Sequence, residues 1–158
     1  MIFDTPPKDF NPKVRVAACF IEHGKQVLFL HRAEHISQGG TWAIPGGKIN
    51  TGETIEHAVR REIFEECKFH LINPIFLQVV YIRYPDYDYE YYMFKEVVAA
   101  KPQITIDSNE SQDYTWLTRE EVDKLEDLNK LILDEMPCIK LVYEDNEFDS
   151  KLYCHEAN

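Results

Sequence analysis

The sequence predicts an α/β fold, a sandwich of helices around a mixed sheet. Three observations predict it. Short apolar runs of strand length recur along the chain, two of them close enough to form a hairpin; one longer segment places its apolar residues at helical spacing; and a second helix is opened by a capping box. At 158 residues the chain has the length of one ordinary domain, able to bury roughly two-thirds of the surface it exposes when unfolded.

The elements follow in order. Residues 1–12 are polar with three prolines and are expected to form an arm leading into a domain over 13–144. Val14 to Ile21 is apolar or small except for Arg15, and Val27 to Leu30 is a second apolar run. With Glu22-His23-Gly24-Lys25 as a turn, the two predict a hairpin. Residues 33–41 read as a loop, and Trp42-Ala43-Ile44-Pro45 as a short extended piece, because Pro45 disfavours helix at Ile44. From Thr54 to about Cys67, Ile55, Ala58, Val59 and Ile63 make one apolar stripe, which predicts a helix. Asn73-Pro74 stops it. Ile75 to Ile82 and Tyr89 to Ala100 predict two long strands joined by the loop 83–88, and Tyr114 to Leu117 a further short one. Thr118 with Glu121 three residues on predicts a helix through about Leu128, and Pro137 is placed to start a last helix carrying Ile139, Leu141 and Val142. Residues 145–158 are expected to form an acidic, loosely held tail.

Composition limits the function. The chain is 44% hydrophobic and 28% charged, a globular balance. Its net charge of −11, from 28 acids against 17 Lys and Arg, repels long polyanions, so no long nucleic acid is expected as a partner. A small anionic substrate is compatible with that charge if metal ions screen the acids locally. Cys19, Cys67, Cys138 and Cys154 form no Cys-x-x-Cys pair and read as buried or idle thiols of a reducing compartment. The first residues lack the features of a secretory signal, and no apolar run approaches the roughly 18 residues that span a bilayer. The expectation is a cytoplasmic protein without a membrane partner, acting as a monomer or homodimer.

The chemistry concentrates in Gly46 to Phe69, GGKINTGETIEHAVRREIFEECKF. Glu62, Glu65 and Glu66 stand at i, i+3 and i+4, so they leave one side of the helix within about one turn. Like charges at this spacing weaken a helix, and these sit near its C-terminal end, where the macrodipole disfavours negative charge. An acidic run on a helix is usually a solvated face. A bound Mg²⁺, a hard ion taking oxygen ligands, is the alternative that explains the clustering. Arg61 is spaced to pair with Glu65 in the next turn or to reach back to Glu53, and Gly46-Gly47 leaves backbone open beside the helix.

This stretch resembles the Nudix box, Gly-x5-Glu-x7-Arg-Glu-aliphatic-x-Glu-Glu-x-Gly-aliphatic. Gly47 starts it; Glu53 and Arg61-Glu62 follow at the required spacings; Ile63, Glu65, Glu66 and Phe69 complete it. With Glu near one residue in ten here, a chance match is on the order of one in ten thousand. Lys68 replaces the second glycine of the pattern. Because a left-handed cap costs a non-glycine residue about 1 kcal/mol or more, a shifted helix end is expected there. The similarity extends over about residues 14–143, through Trp42 to Lys48 ahead of the box and Trp116-Leu117-Thr118 after it.

The resemblance implies a Nudix-type α/β/α sandwich with a mixed central sheet, and Mg²⁺-dependent cleavage of a phosphoanhydride in a nucleoside diphosphate derivative. Mn²⁺ is an expected substitute. It implies Glu62, Glu65 and Glu66 as metal ligands with help from the Gly46 carbonyl. Glu53 would orient Arg61 or join the metal shell, and Glu62, Glu66 and Glu110 are the candidates for general base. Arg32 and Lys48 are candidate phosphate contacts, with Arg83 a further cation near a strand end. Tyr84 and Tyr87 are candidates to stack on a nucleobase, whereas the tyrosines of 89–92 suit cross-strand packing. The leading substrate is a nucleoside triphosphate. Dinucleoside polyphosphates, ADP-ribose and nucleotide sugars follow; Tyr84 or Tyr87 favours the first of these and Pro85 the second. A non-catalytic Nudix-fold binding module is the rival of another class, and the intact glutamates argue against it. His31 and His35 lack further ligands for a zinc site.

Overall fold

The computed structural model describes residues 1–143 and 147–148. Among them the elements run β1 (Ile2–Phe3), β2 (Pro12–His23), β3 (Gln26–Arg32), β4 (Trp42–Ala43), β5 (Gly46–Lys48), α1 (Ile55–Cys67), β6 (Ile75–Arg83), β7 (Asp88–Val97), β8 (Ser111–Thr118), α2 (Arg119–Asp127) and α3 (Glu135–Val142). The chain divides into two compact units: Met1–Phe20 with Pro45–Glu96, and Ile21–Ile44 with the described residues from Val97 onward.

In the first unit β1, β6, β7 and β2 follow one another in that order, and β5 pairs with β2. β6 and β7 form a hairpin in register Ile82↔Tyr89 and Arg83↔Asp88, and β2 meets β5 at Val16↔Lys48, Ala17↔Gly47 and Ala18↔Gly46. The core of this unit comes from Ala17 to Phe20 of β2, Ala58, Val59, Ile63 and Cys67 of α1, and Val80, Ile82 and Met93 of the hairpin. Ala58, Val59 and Ile63 belong to the stripe the sequence indicates; Ile55, at the start of the helix, is only half-buried.

In the second unit β3 pairs with the end of β2, with β4 and along its length with β8, all antiparallel. Trp42 and Leu131 add an isolated parallel bridge. Val27 to Leu30 are buried, as are Val122 of α2 and Cys138 and Ile139 of α3. Phe148 is buried too, its ring edge-on to Tyr143; the other tail residues, 145–146 and 149–158, lie outside the described residues except Glu147, which pairs with Lys25 at 2.7 Å.

Several boundaries differ from expectation for identifiable reasons. Ile2 and Phe3 of the arm pair with Ile82 and Tyr81, a contact far apart in sequence that no local pattern announces. Glu22 and His23 belong to β2 rather than to a turn, since their ladder continues to Val27 and Gln26; Gly24, at φ +58°, and Lys25 make the turn alone. β7 stops at Val97 instead of Ala100, because its partner strand begins at Ile75, which faces Lys95. The last helix starts at Glu135, so Pro137 occupies its first turn, where a missing N–H costs no intrahelical bond.

Candidate active site

The site is built on α1 and the strand before it. Thr54 caps the helix, its hydroxyl accepting the His57 N–H at 3.1 Å, and Glu56 suits the positive end. Burial of Ala58, Val59, Ile63 and Cys67 fixes which face turns inward. Arg61 and the glutamates are thereby left on the more open side. Glu62 is 12% and Glu65 56% exposed.

Arg61 is the centre of the arrangement. Its Nε and Nη2 donate to the two oxygens of Glu53 at 2.8 and 2.9 Å, a bidentate pair, and Nη2 also donates to the Lys48 carbonyl at 2.8 Å. Nη1 donates to Glu62 at 2.7 Å and to Glu65 at 3.1 Å. One guanidinium thus ties the loop before α1, the end of β5 and two helical carboxylates together. The Glu53 carboxyl is held well below the usual carboxylate range, first by Arg61, then by the Asn50 N–H and His57; Glu53 first, and then Glu62, raise the Arg61 guanidinium. The Gly46 N–H donates to Glu66 at 2.8 Å. At Gly47 a Cβ would collide with the Glu62 carboxylate, so only glycine lets that carboxylate lie against β5.

Three carboxylates, Glu53, Glu62 and Glu65, therefore share one guanidinium, and a fourth, Glu66, is held by the Gly46 amide. Among the described residues no three His, Cys, Asp or Glu side chains converge as a ready-made ligand set; the cation gathering Glu62 and Glu65 is Arg61 itself. The donor chemistry nonetheless fits Mg²⁺: hard carboxylate oxygens, excess negative charge, and a glycine at the point of closest approach. A carboxylate that accepts one N–H keeps lone pairs for a further partner.

The family profile described as NUDIX domain matches residues 11–136. The chain belongs to the Nudix hydrolase family. The nucleoside triphosphatase NudI of Salmonella paratyphi B is 38% identical over 100 residues, which cover 57% of this chain and 70% of that protein. The uncharacterized Nudix hydrolase YvcI of Bacillus subtilis is 30% identical over 105 residues, 65% of this chain and 64% of its own length, so the chain spans just under two thirds of that relative. Among solved structures, the MutT NUDIX hydrolase from Burkholderia pseudomallei aligns with a TM-score of 0.69 at 20% identity, covering 84% of this chain and 99% of that one. That likeness shows the fold, a Nudix α/β/α sandwich with a mixed sheet and three helices.

The Nudix box is therefore the frame for the remaining candidates. Gly46, Glu53, Arg61, Glu62, Glu65 and Glu66 are brought together in the first unit by the contacts above. Lys48 joins them through its main-chain carbonyl, whereas the sequence reading assigned it a side-chain role. His57 was missed; its Nδ1 lies 2.7 Å from Glu53, and their four-residue separation at the start of a helix is the signal that reveals it. Lys68 corrects another expectation: α1 ends at Cys67 without shifting, and Lys68 takes the left-handed conformation, φ 53°. Compensation comes from its N–H, which donates to the Phe64 carbonyl at 2.9 Å, and from Nζ, which donates to the Glu65 carbonyl at 3.0 Å. Tyr84 and Tyr87 lie at the tip of the β6–β7 hairpin, ring centroids 5.2 Å apart. In the second unit, Arg32 closes its own loop by donating twice to the Ser37 carbonyl, and Glu110 is exposed just before β8. Among the described residues no helix is long and apolar enough to cross a membrane.

Proposed function

We propose that the protein hydrolyses a phosphoanhydride in a nucleoside diphosphate derivative, with a nucleoside triphosphate as the leading substrate and Mg²⁺ as the cofactor. The observation that carries this is the Arg61 hub, which holds Glu53, Glu62 and Glu65 at box spacing while Gly46 holds Glu66. Degenerate spacing or an exposed run of acids gives no reason for such a shared clamp. The 38% identity to a nucleoside triphosphatase over the matching segment supports the substrate class.

Glu62, Glu65 and Glu66, with the Gly46 carbonyl, would hold Mg²⁺, which supplies charge to polarise a phosphoryl oxygen and to acidify a water. The chain's own residues supply orientation. Arg61 and Glu53 fix the loop against α1, so the glutamates keep their relative placement during turnover. The Gly46 amide orients one oxygen of Glu66. A carboxylate of the set, Glu62 or Glu66, would take the proton from the attacking water.

The test is a panel of nucleoside triphosphates, nucleotide sugars, ADP-ribose and dinucleoside polyphosphates with Mg²⁺, with nucleotide products separated by chromatography and phosphate assayed with and without added inorganic pyrophosphatase. Phosphate appearing from triphosphates only when pyrophosphatase is present marks release of pyrophosphate; phosphate without it marks release of orthophosphate. No turnover of any compound contradicts the proposal and favours a binding module.

A further inference from the structure

The first unit carries a line of side chains along β2 that none of the site roles above uses. Residues two apart on a strand share a face, so Lys13, Arg15 and Ala17 project from the same side of β2. Ala17 pairs with Gly47, the glycine that makes room for Glu62. From the strand rise, Arg15 stands about 7 Å and Lys13 about 13 Å from that position. The Arg15 carbonyl accepts the Ile49 N–H at 2.8 Å, so the residue borders the loop that leads into α1.

At the other end of the line, Asn11 and Lys13 line an open cleft of about 280 Å³ with Arg83, Tyr84 and Tyr87. Arg83 is committed there to Asp88, which it meets with two nitrogens at 2.7 and 2.9 Å. The tyrosine rings of the hairpin tip form the aromatic wall. Between cleft and box stands Arg15, and it is fixed. Nε donates to Glu90 at 2.9 Å, Nη2 donates to the Tyr92 hydroxyl at 3.1 Å, and that hydroxyl donates to the same Glu90 oxygen at 2.8 Å. Nη1 has no protein acceptor among the described residues, and the side chain is 44% exposed.

An exposed ion pair contributes little to stability. A guanidinium held by two hydrogen bonds to partners that are themselves bonded to each other, with one nitrogen left over, is instead preorganised to bind an acceptor. On a chain of net charge −11, Lys13 and Arg15 put N–H donors on the strand face that leads to the box.

We propose that Arg15, held by Glu90 and Tyr92, is a substrate-binding residue that contacts a phosphate of a nucleotide lying along β2, its base at the Tyr84–Tyr87 cleft beside Lys13 and its phosphoanhydride at the box. The inference rests on the hydrolase reading and adds the direction in which the substrate lies and a residue that holds it. Glu90 balances most of the Arg15 charge, so recognition is by oriented N–H donors more than by net attraction.

The test uses steady-state kinetics with Mg²⁺ on the best nucleotide of the panel, and calorimetric binding of its non-hydrolysable imidodiphosphate analogue. Arg15→Ala is expected to raise KM and the analogue's dissociation constant about tenfold while kcat changes far less, as loss of a charge-assisted contact made equally in ground and transition states requires. Arg15→Lys recovers part of the loss, Tyr92→Phe gives an intermediate value, and Lys8→Ala, on the arm, matches wild type. Melting temperatures within a few degrees of wild type exclude misfolding as the cause. Turnover by wild type together with an Arg15→Ala KM within twofold of it overturns this inference alone. Absence of both turnover and analogue binding in wild type overturns the hydrolase reading and this inference with it.

Discussion

Helices α1 and α2 follow opposite rules. α2 follows most local preferences: Thr118 and Glu121 form a reciprocal capping box, Glu120 and Glu121 occupy the first turn, and Lys124 stands in the last, beside Glu126 and Asp127. α1 begins as well, with Thr54 as its cap, but ends badly. Its last turn holds no basic residue and two adjacent glutamates, and it closes on a lysine in a left-handed conformation. α2 is explained by the stability of a helix. The acids of α1 differ in being gathered on Arg61 and the Gly46 amide, a placement that the proposed metal site accounts for.

That contrast can be broken by substitution. The largest effect is expected from Glu66→Gln, which should lower turnover by at least about a hundredfold with the fold intact, since it would remove a ligand of the proposed Mg²⁺. Near-normal turnover, read beside an unchanged circular dichroism spectrum, would place α1 in the same class as α2. Arg61→Ala should come next, lowering kcat by about tenfold to a hundredfold because the glutamates and the Glu53 loop lose their common partner and their alignment. The opposite pattern belongs to α2. Thr118→Ala should cost about 1 kcal/mol in urea unfolding and leave kcat within twofold of wild type.

Lys68→Gly sharpens the comparison at the helix end. Glycine relieves the left-handed strain of about 1 kcal/mol but gives up the Nζ bond to the Glu65 carbonyl, so the two should nearly cancel, with turnover retained. A large loss of activity in that variant assigns Lys68 a role beyond capping.

The smallest effect is a pH dependence away from the box. Arg83, then the Asn11 N–H, hold the Asp88 carboxyl down at about 2, below its ordinary 3.8. A depressed carboxylate contributes its stability above the unfolded value and loses it as pH falls through the folded one. The difference in unfolding free energy between wild type and Asp88→Asn should therefore be constant above pH 4 and shrink between pH 4 and 2. A difference that grows on acidification contradicts the pairing.

What was legible in the sequence follows the same division between local and long-range causes. The start of α1 was readable because Thr54 and the stripe of Ala58, Val59 and Ile63 are local signals, and the pairing of Arg61 with Glu53 and Glu65 followed from helical spacing and the box. The docking of Ile2 and Phe3 beside β6 was not, since it depends on residues about eighty positions away. Nor was the burial of Glu22, a charged residue inside a strand whose partners, the Tyr143 hydroxyl at 3.0 Å among them, lie far along the chain. Lys48 shows a further limit: a sequence displays its side chain, while the structure uses its carbonyl. Arg15 looked like a break in an apolar strand until Glu90 and Tyr92 appeared beside it.

The central claim is that the acids of α1 are kept for a divalent cation. Calorimetric titration of the folded protein with Mg²⁺, and with Mn²⁺, in the presence of a non-hydrolysable nucleotide, carried to saturation of that nucleotide in a matched protein-free blank that is subtracted, tests it most directly. The account predicts saturable uptake in wild type that disappears when Glu62, Glu65 and Glu66 are replaced together by glutamine. Uptake that survives this replacement, or none in wild type, contradicts it.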